Sequence, residues 1–149
     1  MRHINVGIIL GILVITATCA FGMGITVQDL VVDYNKTFGA DWFTCQKTAN
    51  DFYRAIDQNF QKANLQLIAI KTGTLDPITN LDGHRIVTYT EGRDRYVIST
   101  YPMDKYERTF EVAVKNYGDK TLHEICESFV PGYRYVMVYR KGFGFITIS

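Results

Sequence analysis

The chain is short of cysteine, proline and net charge, and each shortage excludes something. Three cysteines in 149 residues are too few for a disulfide scaffold of the small secreted kind. No two of them form a Cys-x-x-Cys, and no His-Glu-x-x-His occurs, so two common zinc signatures are missing. Three prolines and no internal repeat leave neither a linker nor a solenoid in view. A formal net charge of +1 argues against the basic face of a nucleic-acid binder. What is present is ordinary globular composition, 47% hydrophobic and 21% charged, enough for one domain.

That composition is uneven. Residues 4–25 contain no charged side chain, and only Arg2 and His3 precede them. A short positive start, an apolar run and small residues behind it predict a signal peptide over residues 1–24. Ala20-Phe21-Gly22 and Gly22-Met23-Gly24 both offer small-x-small cleavage sites. The same run is long enough to be an uncleaved membrane anchor, and that alternative stays open. Cys19 reads as a small apolar residue of the leader, because Thr16-Ala17-Thr18 is a poor lipoprotein box. Without residues 1–22 the chain has 15 basic and 15 acidic residues. The expectation is therefore a neutral domain over residues 25–149, secreted or membrane-anchored and extracytoplasmic. Asn35-Lys36-Thr37 is a glycosylation sequon of a kind that often arises by chance.

Within the domain, residues 26–36 suit a short amphipathic helix. A longer one follows: Ala49, Phe52, Tyr53, Ile56, Phe60 and Ala63 recur at three- and four-residue steps. Cys45 extends that stripe to the helix start, where Asp41 and Thr44 are both acceptable caps. Leu65–Ile70 reads as a central strand. His84–Thr90 and Arg95–Tyr101 read as a hairpin around Gly92. Residues 104–117 read as a helix, with Tyr106, Phe110, Val114 and Tyr117 on one side. Thr121 caps a further short helix, and Tyr133–Arg140 with Phe143–Ile148 closes the chain as a second hairpin. The class is α+β, a cysteine-bearing helix on an antiparallel sheet.

The chemistry points first to Cys45 and His84. A thiol at a helix N-terminus meets the positive end of the helix dipole, which favours thiolate. Free N–H groups of the first turn can hold an oxyanion. A histidine opening a strand beneath that helix is placed to act as base.

The order of cysteine helix, strand, histidine strand and hairpin resembles the papain-like superfamily, in its transglutaminase-like branch. The resembling residues are Asp41-Trp42-Phe43-Thr44-Cys45, then Gly83-His84-Arg85-Ile86-Val87, then Arg95-Tyr96-Val97-Ile98-Ser99-Thr100. They cover residues 40–102. The resemblance implies a papain-like fold and thiol-mediated acyl transfer or amide and peptide hydrolysis, with Cys45 as nucleophile and His84 as base. It also implies a protein or peptide substrate, a cell-surface component among them, and no cofactor. One departure stands out. The family carries an acid or amide on the strand after the histidine, and this chain offers Ser99, Thr100 or Tyr101 there. Ser99 and Thr100 join the expected site as acceptors for the imidazole, with Asp82 and Asp104 as nearby substitutes.

Blander readings compete. Cys45 and Cys126 could close a disulfide around a loop of about 80 residues, worth roughly 4 kcal/mol. In that reading the domain is a catalytically inactive transglutaminase-like surface module that binds a partner. Cys45, His84, His123 and Cys126 could also form a zinc site, but they come from three distant segments without local ligand spacing. Trp42 reads as a core anchor near the helix start. The ten tyrosines and nine phenylalanines read as packing first.

Overall fold

The structure is a computed structural model, and it describes residues 24–39, 44–77, 81–107 and 109–148. The signal peptide or anchor expected over residues 1–24, apart from Gly24, lies outside the described residues, as do Asp41 and Trp42.

Helix α1 (Val27–Phe38) begins at a capping box: Thr26 and Asp29 satisfy each other's backbone N–H groups. Helix α2 (Cys45–Asn59) follows, with Thr44 at its N-cap. Its stripe Thr48, Ala49, Phe52, Ala55, Ile56 is buried, as the three- and four-residue spacing requires. The periodicity predicts a helix reaching Ala63, but α2 stops at Asn59. Phe60 turns to extended backbone, and Ala63 already opens strand β1 (Ala63–Lys71).

Next come β2 (His84–Glu91) and β3 (Asp94–Pro102), joined at Gly92-Arg93 with Glu91 opposite Asp94. Gly92 takes a φ of 61° there, which the tight turn needs. The chain continues through β4 (Phe110–Asn116), helix α3 (Leu122–Phe129), β5 (Tyr135–Arg140) and β6 (Gly144–Thr147). A second capping box, Thr121 with Glu124, starts α3. Every pairing in the sheet is antiparallel, in the order β4-β3-β2-β1-β5-β6.

The helix expected over 104–117 is instead strand β4. A four-residue step fits a period of 3.6 and a period of 2 equally well, so Phe110 and Val114 could not separate the two. Val112 and Val114 are β-branched, and seven residue pairs with β3 decide for the strand. Tyr106 lies outside the strand and is exposed.

The sheet buries both faces. On one, Leu67, Val87, Tyr89, Ile98 and Val112 meet α1 and α2. On the other, Ile68, Ile70, Ile86, Val97, Val136 and Val138 meet Ile125 and Cys126 of α3. The α+β class of the sequence reading is the architecture observed. Among the described residues, no helix is long and apolar enough to cross a membrane.

Candidate functional site

The two residues expected to form the catalytic pair sit on opposite faces of the sheet. Side chains alternate along a strand. Arg85 donates to Asn50 Oδ1 of α2 at 3.0 Å, so Arg85 faces the helix layer. Its neighbour His84 therefore faces α3, and its ring stacks on Phe129 with 5.3 Å between centroids. Cys45 belongs to the buried stripe of α2 on the far side. Arg85, on the α2 side of the strand, interacts electrostatically with Cys45. The expectation that the cysteine helix packs on the histidine strand holds. It does so against Arg85 and Val87, one residue out of phase for catalysis.

Gly83 explains how β2 starts. Its φ is 90°, and a Cβ there would lie 1.9 Å from the Ile70 carbonyl oxygen. Only glycine lets the loop approach β1 this closely, and His84 then enters the sheet opposite Ile70.

His84 is brought together with Ser99. His84 Nε2 lies 2.7 Å from Ser99 Oγ, and both residues are buried. Burial pushes the imidazole pKa down to about 4, so the ring is neutral at pH 7. Thr100 enters this arrangement through its backbone alone: its carbonyl accepts from the Ser99 hydroxyl at 3.4 Å. Its side chain, opposite Val112, is turned by alternation to the α1–α2 face. Asp82 accepts from the backbone of Thr72 and Gly73 and from the Thr72 hydroxyl, which ties the ends of the loop before β2. Asp104 accepts from the Tyr106 N–H and the Thr109 hydroxyl.

No disulfide joins Cys45 and Cys126, which the sheet separates. Burial raises the Cys126 thiol to about 12, as befits an apolar core residue. The four residues considered for zinc are not gathered either, since His123 Nδ1 lies 2.7 Å from the Tyr133 hydroxyl at the surface of α3. No group of three or more metal-ligating side chains forms among the described residues.

A different feature opens on the helix face. α2 stops short of covering the β5–β6 hairpin, which leaves a cleft of about 330 Å³. Tyr53, Tyr139 and Phe145 line it, with edge-on ring contacts of 5.6 and 5.7 Å. Asn50, Arg54 and Asp57 supply polar groups. Behind Phe145 lies the Arg85 guanidinium, 4.6 Å from the ring centroid. No carboxylate pairs with Arg85 among the described residues. Cleft volume, aromatic walls and a few convergent polar groups are what small binding sites share. The sequence gives little warning of this site. Tyr53 is read into the helix stripe, and Tyr139 and Phe145 into ordinary strand packing. Only the unfinished cover of α2 turns them into walls.

No protein-family model, curated protein or solved structure matches the chain.

Proposed function

We propose that the domain is a noncatalytic binding module of an exported or membrane-anchored protein. It takes a protein or peptide partner, such as a cell-surface component, in the cleft between α2 and the β5–β6 hairpin. The observation that carries this reading is the separation of Cys45 from His84 by the sheet. Thiol acyl transfer needs a base within hydrogen-bond reach of the sulfur. A buried imidazole with a pKa of about 4 is also a weak base near neutral pH. Cys45 itself is 1% exposed, so a carbonyl substrate has no approach to its sulfur.

The order of α2, β1, β2 and β3 supports kinship with the papain-like, transglutaminase-like group. On that kinship the domain is a relative whose catalytic pair has been dismantled, with its scaffold kept. The acyltransferase reading would need β2 to turn over by one residue. That would bury Arg85 against α3 and expel Ile86 from its core.

Two measurements on the full chain test the proposal. Incubation with a glutamine-donor peptide and a fluorescent amine should yield no product above a Cys45→Ala control. Titration with short capped peptides should shift NMR resonances of Asn50, Tyr53, Tyr139 and Phe145. Turnover that disappears with Cys45→Ala would overturn the reading.

A further inference from the structure

The two outer strands of the sheet are finished differently. On β4, Asn35 of α1 reaches the outward backbone of Val112. Its Nδ2 donates to the Val112 carbonyl at 2.7 Å, and its Oδ1 accepts from the Val112 N–H at 2.9 Å. One side-chain amide thus imitates a neighbouring strand and closes that edge. It also occupies the nitrogen that a glycan on the Asn35 sequon would use.

On β6 nothing comparable stands among the described residues. The Ile148 N–H donates to the Val136 carbonyl at 2.9 Å, so the backbone of 144, 146 and 148 points toward β5. Alternation turns the N–H and C=O groups of Phe145 and Thr147 outward. Gly-Phe-Ile-Thr has no charge and no proline, the usual protections of a sheet edge. Ile146 beside them is 42% exposed, and Phe143 at the turn is 85% exposed.

The charge around this edge is one-sided. Arg54, Arg140 and Lys141 surround the cleft and hairpin, and Asp57, 3.6 Å from Lys141, is the one acid lining the cleft among the described residues. Arg85 adds a further cation behind Phe145. The chain from residue 23 onward nevertheless has equal numbers of acids and bases. The cationic excess is thus concentrated beside backbone hydrogen-bonding groups that no other described residue takes up.

We propose that an extended acidic segment of a partner protein adds to β6 as a further antiparallel strand. Its main chain pairs with Phe145 and Thr147, and its alternate side chains enter the aromatic cleft toward Arg54 and Lys141. This is the strand-addition mode of peptide recognition, in which the backbone supplies affinity and adjoining pockets supply selectivity. The inference rests on the binding-module reading and adds to it the mode of docking and the chemistry of the partner.

The test uses the full chain and two capped hexapeptides, one alternating Glu and Val, the other Lys and Val. The acidic peptide should bind and slow hydrogen exchange at the Phe145 and Thr147 amides. Thr147→Pro removes an outward N–H without taking a bond from β5, a position where an edge strand tolerates proline. It should weaken binding roughly tenfold, the loss of about one hydrogen bond. Arg54→Glu, a surface change, should weaken it independently of any effect of proline on the strand. Equal binding of the basic peptide would overturn the charge argument. Self-association of the chain that Thr147→Pro abolishes and the acidic peptide cannot displace would make the occupant a second copy, and would overturn the proposal. Shifts in the cleft without protection at Phe145 and Thr147 would overturn strand addition and leave the binding module standing. No shift at either place would overturn both.

Discussion

Along β2, Arg85 and Val87 meet α2 while His84 and Ile86 meet α3, so consecutive residues serve two unlike interiors. The α1–α2 face is broad and mostly apolar, built around Phe52 and Ile56, with Tyr34 against Phe52 at 4.9 Å between ring centroids. It includes Cys45 and, at its uncovered corner, the cleft. The α3 face is narrower, covered by one eight-residue helix, and holds a neutral histidine bonded to a serine beneath Phe129. Sharing a helix-on-strand contact therefore does not place two residues in one site. A strand offers each face only every second side chain, so a displacement of one residue is enough to separate a nucleophile from its base.

The comparison can be broken most forcefully on the helix face. Phe52 is 1% exposed at its centre, and Phe52→Ala should cost about 4 kcal/mol in urea unfolding. A loss below about 1 kcal/mol would mean that α2 is not the main cover of this face.

The α3 face is probed next by pH. Burial holds His84 at about 4, whereas the unfolded chain titrates near 6.5. As pH falls, the unfolded state takes up this proton first. The stabilising contribution is complete above about pH 6.5 and is lost progressively toward pH 4, by about 3 kcal/mol. His84→Gln keeps a partner for Ser99 and cannot titrate, so the slope of stability against pH in that window should flatten. An unchanged slope would show that His84 is solvated rather than enclosed.

The smallest expected effect lies at the helix cap that starts α3. Thr121→Ala removes the hydroxyl that accepts from the Glu124 N–H and should cost about 1 kcal/mol by thermal unfolding. Thr26→Ala at the matching box of α1 should cost a similar amount, since its geometry is the same. A clear inequality would indicate that one of the two faces depends on its helix more than packing suggests.

The sequence is most legible where local chemistry is redundant. The Thr121 cap, the apolar stripe of α2 and the Gly92 turn each specify their element from nearby residues, and each is found close to where the spacing puts it. It is least legible at residues 104–117, where a step of four satisfies helix and strand alike and only pairing with β3 chooses. The candidate site was legible in part. The sequence places Ser99 as an acceptor for the His84 ring, and the two lie 2.7 Å apart. It places Cys45 in the same site, and Cys45 lies across the sheet. Spacing along the chain carries no information on which face of β2 a residue takes until the strand has neighbours.

The sequence by itself determined the α+β class, the helix starts, the hairpin turns and the alternation of β2, because these depend on residues a few positions apart. The tertiary structure decided which face of the sheet α2 would cover, and therefore that Cys45 would share a face with Arg85 rather than with His84. It also decided that Asn35 would close one edge of the sheet while no other described residue does the same for β6, beside the aromatic cleft. Those outcomes come from burying two apolar faces at once, a condition on the whole sheet that no local stretch of sequence expresses.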